Sequence, residues 1–327
     1  MARLGLRIIF LVVFSFTVIL FYTGYHVQQQ SLSAIRDVIP SPPEPPPPPA
    51  PPSTIPPELH RSSLLRRTAY ITAITNPVDF CNAVILFATL HRTRSDASRI
   101  LHYPLSWDTE RSHSRTTKRL FEVLSIRYHV ESRGVEKPGL GSAFSETEFS
   151  RVLFLDSLGI FQKHFDEDLL ADNGATSGGA SLTLVRDPTE PGKLWDGWVL
   201  LRPSLDAAAT VQGHLDDGVN AGEVLTKLYS QKAEIRNWYP VVLHLRQIRK
   251  RCRECWDGSG WDVEKVLKET RFLNFRDAEV RDVNNVLVGD ARRKPGPEGV
   301  KEREVWEMLR RRWAKERAEV CGLDLLA

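Results

Sequence analysis

The sequence predicts an α/β domain built on a mostly parallel sheet with flanking helices, and three observations carry that expectation. Short β-branched runs alternate with helical stretches in the order β-α-β-α-β, the pattern of a parallel sheet with helices on its faces. The run Arg151–Leu155 (RVLFL) is apolar almost without interruption, as befits a central strand buried on both sides. Once an N-terminal segment of different character is set aside, the remaining length suffices for one large domain. Over the whole chain, 9% aromatic and 26% charged residues are an ordinary globular composition.

In chain order, Ala69–Thr75 (AYITAIT) reads as a β-branched strand closed by the turn signal Asn76-Pro77, and Phe80–Arg92 as a helix with an apolar stripe. Arg99–Tyr103 is the next strand, Thr116–Ile126 an amphipathic helix, and Tyr128–Glu131 a third strand. Gly134–Gly141, which contains Pro138, reads as a loop before the strand Arg151–Leu155. Further strands are expected at Ser181–Val185, Trp198–Leu201, Val241–Leu245 and Arg271–Phe275. Helices are expected at Leu205–Leu215, Glu223–Tyr229 and Val263–Lys268. The charged stretch Val300–Val320 reads as a final helix ended by Cys321-Gly322.

The N-terminal segment reads as a membrane anchor on a stem. Ile8–Tyr25 carries no charge, and about 18 residues of helix rise about 27 Å, close to the thickness of the hydrocarbon core. Arg3 and Arg7 precede the run and no Lys or Arg follows before Arg36, so the positive-inside bias keeps the N-terminus cytosolic. A cleavable signal peptide is the alternative, but the run exceeds a usual apolar core and the small-x-small site Ser31-Leu32-Ser33 lies well beyond it. The proline-rich stretch from Pro40 to Pro57 cannot join a helix or sheet interior and forms a stiff polyproline II spacer. The expected organisation is a cytosolic tail over 1–7, a transmembrane signal anchor over 8–25, a stem over 26–66 and a domain over 67–327 on the far side.

A net charge of +3, with basic residues in local clusters such as Arg249-Lys250-Arg251 and Arg310-Arg311-Arg312, gives no ground for nucleic-acid binding. Of the cysteines, Cys252 and Cys255 have C-x-x-C spacing without the second pair that a structural zinc site needs. They read as a local disulfide or two free thiols, and Cys81 as a buried helix residue.

The strongest chemical candidate is Asp156, which closes the apolar strand Arg151–Leu155. A carboxylate there sits at the C-terminal edge of the sheet, where open α/β folds form ligand crevices; alternatively, Asp followed by Ser caps the next turn. Three blocks then resemble glycosyltransferase family 8, the glycogenin-like glycosyltransferases, particularly its fungal, Golgi-type, type II members. They are Tyr70–Pro77 with Cys81 and the helix through Leu90, Phe149–Ser157 (FSRVLFLDS), and Arg271–Asp277 with Val320–Leu325. The resemblance implies a GT-A fold, a UDP-sugar donor, a glycan or protein acceptor, and a divalent metal, usually manganese, that offsets the charge of the diphosphate leaving group. It implies that Thr72, Thr75 and Asn76 face the nucleotide, that Asp156 faces the metal, and that Gly197 belongs to the donor site.

The sequence departs from the family pattern at that site. Leu158 stands where the second aspartate of Asp-x-Asp belongs, and Asn274 stands in place of the distal histidine, a weaker metal ligand acting through its amide oxygen. Gly139–Ser142 lies where the family places a lysine, and Trp195-Asp196-Gly197 replaces an Asn-Ser-Gly block. The acidic residue and asparagine of a family helix fall near Ala221 and Thr226, with Glu223 close by. Asp196, the Asp216-Asp217 pair or the Arg249–Arg253 cluster could compensate. Two functions follow: a Golgi glycosyltransferase with its acceptor between Trp195-Asp196-Gly197 and the C-terminal strand, or a catalytically silent relative acting as a binding subunit.

Overall fold

The computed structural model describes residues 57–110, 115–171, 182–187, 192–237, 240–244, 248, 262–275 and 300–321. The expected tail, the anchor at 8–25, most of the stem, the Arg249–Arg253 cluster and the Cys252–Cys255 pair lie outside them. Among the described residues no helix is long and apolar enough to cross a membrane.

The first half runs α1 (Pro57–Leu65), β1 (Thr68–Ala73), a 3-10 turn (Pro77–Asp79), α2 (Phe80–Arg92), β2 (Ser98–Pro104), a helical turn (Trp107–Glu110), α3 (Arg115–Glu122), β3 (Glu131–Val135), α4 (Leu140–Phe144) and β4 (Arg151–Leu155). The second half runs β5 (Gly159–Phe161), α5 (Asp166–Leu170), β6 (Leu182–Arg186), β7 (Leu194–Leu201), α6 (Leu205–Asp216), α7 (Ala221–Tyr229), β8 (Glu234–Arg236), β9 (Val242–His244), α8 (Val263–Glu269), β10 (Phe272–Asn274) and α9 (Val300–Cys321).

Seven strands form one sheet in the order β3-β2-β1-β4-β7-β6-β8. All its pairs are parallel except those of β7, which runs against both neighbours. The expected mostly parallel sheet is therefore present. Side chains of β4 divide between two cores: Leu153 and Leu155 join one cluster, Val152 and Phe154 the other. Successive strand residues point to opposite faces, so RVLFL is apolar throughout because both faces are covered. Helices α2 and α9 pack in the first cluster, and α4, α6 and α7 in the second. The short strands β5, β10 and β9 make a separate three-stranded sheet, tied to α2 where Phe161 N–H donates to Thr89 Oγ1 at 3.0 Å.

Three expectations need correction. Part of the expected stem is helical, because α1 occupies Pro57–Leu65 and Leu65 is buried in the core. Proline at the first helical position costs nothing there, since that N–H has no intrahelical partner. The strand expected at Tyr128–Glu131 starts at Glu131. A π turn over Val123–Arg127 prolongs α3, and His129 at φ 53° turns the chain away through the left-handed region. The expected loop at Gly134–Gly141 is shorter than its span, since β3 reaches Val135 and α4 opens at Leu140.

Candidate functional site at the strand-order reversal

The strand order places the site. β1 pairs with β2 on one side, leading outward to β3, and with β4 on the other. Where the order of parallel strands reverses, the connections diverge from the carboxyl ends and leave a crevice. A cleft of about 650 Å³ lies there, with Ala73 at the end of β1 and Leu155 and Asp156 at the end of β4 on its surface.

The loop after β1 builds one rim. Asn76 caps the 3-10 turn by accepting from Asp79 N–H at 3.0 Å through Oδ1, and Pro77 then sets the first turn position. Thr75 and Asn76 are exposed and line the cleft. Thr72, expected beside them, is fully buried, and its hydroxyl donates across the ladder to Leu155 O at 2.8 Å. It is a structural residue of the β1–β4 seam and does not line the cleft, which corrects the expectation of a nucleotide contact.

Asp156 lines the floor and also caps the following turn: its Oδ1 accepts from Leu158 N–H at 3.1 Å. Its main-chain N–H donates to Gly197 O at 3.0 Å, which brings Gly197 and Asp196 of β7 to the same cleft. Gly197 is required by packing, because a Cβ would stand 2.3 Å from the Trp195 ring. Trp195 in turn meets His244 edge-on, with ring centroids 4.4 Å apart.

The far wall comes from α9. Trp313 and Arg317 line the cleft; both are buried, and Trp313 packs on Phe275 with ring centroids 4.5 Å apart. Burial pushes the Arg317 guanidinium below its ordinary pKa, although an arginine remains charged at any physiological pH. A disulfide between Cys81 and Cys321 fastens the end of α9 to the start of α2. Cys81 is buried as expected, but it is bonded rather than a free thiol.

No family model matches the chain. Among curated proteins it is similar to glucose N-acetyltransferase 1 of Gibberella zeae, 26% identical over 282 residues that cover 78% of this chain and 62% of the relative. It is similar also to the protein of the same name from Aspergillus fumigatus, 26% identical over 307 residues, covering 78% of this chain and 77% of the relative. The chain thus spans under two thirds of the first relative's length. Solved structures with similarity include the glycosyltransferase GlyE of Streptococcus pneumoniae (TM-score 0.48, 14% identity, 77% of this chain and 62% of that one). The galactosyltransferase LgtC, solved with donor and acceptor sugar analogs, has TM-score 0.48 and 10% identity over 77% of this chain and 96% of that one.

The residues at Asp156 do not fit a divalent metal. Leu158 offers no ligand and packs against the core. Asn274 is fully buried and directs its amide nitrogen, a donor, at Asp156 Oδ2, 3.5 Å away, whereas a cation would require the amide oxygen. Asn274 thus stands next to Asp156 as a hydrogen-bond partner of the carboxylate. Among the described residues no three His, Cys, Asp or Glu side chains converge to hold a metal. Of the compensations considered, Asp196 reaches the cleft. Asp216 instead pairs with Lys137 at 2.8 Å, Asp217 does not line the cleft, and Glu223 faces Lys193 at 3.8 Å.

Sequence reasoning missed Asp79, Asn82, Trp313 and Arg317, all of which line the cleft. A signal for the last two existed: Trp313, Arg317 and Cys321 recur at i, i+4 and i+8, one face of a helix.

Proposed function

We propose that this protein is a glycosyltransferase of the GT-A type, akin to the glycogenin-like family 8 enzymes, that moves a sugar from a nucleoside-diphosphate donor, UDP being the expected nucleotide, to a glycan or protein acceptor. The observation that carries this reading is the cleft at the β1/β4 reversal, with Asp156 on its floor and Thr75 and Asn76 on its rim. The rim is assigned to the nucleoside and the carboxylates of Asp156 and Asp196 to the sugar hydroxyls, for which they are pure acceptors. In the transfer, the bond from the anomeric carbon to the β-phosphate oxygen breaks and its electron pair leaves on the nucleoside diphosphate. The acceptor oxygen bonds to that carbon, and its proton passes to the departing nucleoside diphosphate. The two relatives at 26% identity bear a transferase name that includes glucose, which supports a hexose-handling transferase. The Cys81–Cys321 disulfide supports an oxidising compartment, in keeping with a single-pass type II protein whose domain lies in the Golgi lumen.

Calorimetry on the full-length chain in detergent tests the reading, with UDP, UDP-glucose, UDP-N-acetylglucosamine and acetyl-coenzyme A as probes, each with and without manganese. A UDP-sugar is expected to bind, and Asp156→Ala to weaken the UDP-sugar more than UDP. Binding of no nucleotide in either condition would favour the silent binding subunit. Binding of acetyl-coenzyme A in place of the UDP-sugars would favour acetyl transfer, the reaction in the relatives' name.

A further inference from the structure

A diphosphate entering this cleft needs a counter-charge, and two of the carboxylates on its wall accept hydrogen bonds from neutral donors. Asp79 Oδ2 accepts from Asn76 Nδ2 at 2.5 Å and its Oδ1 from Asn82 Nδ2 at 3.3 Å. Asp156 is held by Leu158 N–H and the Asn274 amide. Among the described residues the cation on the cleft surface is Arg317. Resting on the glycosyltransferase reading, we propose that Arg317 of α9, rather than a divalent metal, receives the diphosphate of the donor.

Placement supports this assignment as much as charge does. Trp313, Arg317 and Cys321 form one buried face of α9; the first two line the cleft and the third is bonded to Cys81 of α2. The residue before Arg317, Glu316, is ion-paired with Arg92 at the other end of α2. Two fastenings thus fix α9 around Arg317, so little side-chain and backbone freedom is left to lose when a ligand binds. A guanidinium presents a planar fork of donors that matches phosphate oxygens, and from the buried position of Arg317 its field is screened less than at the surface. The purely structural alternative is that Arg317 fills space between α9 and α2.

Binding of UDP, UMP and uridine to the full-length protein, measured with and without EDTA, separates these roles. Arg317→Gln is expected to weaken UDP by about 10- to 100-fold while changing uridine by under about 3-fold, and Arg317→Lys to fall between wild type and Arg317→Gln. Wild-type affinity for UDP is expected to survive EDTA. Equal loss of UDP and uridine in Arg317→Gln would mark a structural residue and overturn the proposal, as would an unchanged affinity for UDP. Loss of wild-type UDP binding in EDTA would assign the counter-charge to a metal and likewise overturn it. In these three cases the glycosyltransferase reading stands. Failure of the wild type to bind any of the three ligands removes both.

Discussion

Thr72 and Gly197 show how differently two residues implied by the same resemblance can behave. The Thr72 hydroxyl is spent on Leu155 O at 2.8 Å inside the sheet. Thr72→Val is therefore expected to cost about 1 kcal/mol in urea unfolding and to leave UDP affinity unchanged in calorimetry; a large loss of affinity would return Thr72 to the site. Gly197 stays at the cleft, yet what it must provide is space, since a Cβ would meet the Trp195 ring at 2.3 Å. Gly197→Ala is expected to cost about 1–3 kcal/mol by overpacking. It should also weaken sugar-nucleotide binding, because Trp195 must move and Asp196 beside it lines the cleft. No spacing in a single sequence could tell which of Thr72 and Thr75 faces ligand. That depends on where β1 ends, and Ala73 closes it, placing Thr72 inside the ladder and Thr75 in the loop beyond.

At the scale of elements, α9 is the part of the site most exposed to chemical disruption. The Cys81–Cys321 bond spans 240 residues, and loss of a cross-link over so long a loop typically costs about 2–5 kcal/mol. The double variant Cys81→Ser/Cys321→Ser is expected to melt at lower temperature by scanning calorimetry. UDP affinity should fall more than uridine affinity, because the C-terminal turn carrying Arg317 is released. Equal melting temperatures would show that packing of Trp306, Leu309 and Trp313 in the core holds α9 unaided. The sequence made α2, α6, α8, α9 and β4 legible almost to their ends, because long helical periodicity and an uninterrupted apolar run are strong signals. It left β5 and β8, of three residues each, unseen, whereas the equally short β9 and β10 were legible because they sit inside the longer, mostly apolar runs Val241–Leu245 and Arg271–Phe275. The disulfide was equally hidden: nothing local links two cysteines so far apart, and only the packing of α9 on α2 brings their Cα atoms to 5.9 Å. Asp156 was legible because its position follows from a strand's end. Arg317 was not, because its meaning depends on which wall of a distant cleft α9 completes.

For the whole molecule, one polar cluster couples the sheet to the cleft. His102 of β2 is fully buried and bridges Ser142 of α4 and Glu146, each at 2.8 Å, and Glu146 also pairs with Arg133 of β3. The residues just before Ser142, Gly139 and Leu140, line the cleft, so the cluster fixes that rim to β2 and β3. Burial acts to raise the Glu146 carboxyl, but the hydrogen bond and charge of His102 together with Arg133 outweigh it and hold the pKa below its ordinary 4.5. A carboxylate depressed in the folded state stabilises it fully above the unfolded value, and that stability is lost as pH falls through the folded value. Folding stability is accordingly expected to decline as pH drops below about 4.5, with loss of ligand affinity in parallel as the rim loosens. Glu146→Gln is expected to lower stability at neutral pH by about 1–3 kcal/mol and to flatten the acid limb of the stability–pH curve measured by urea unfolding. An acid limb as steep in Glu146→Gln as in wild type would place the acid sensitivity in other carboxylates and leave this cluster a neutral brace.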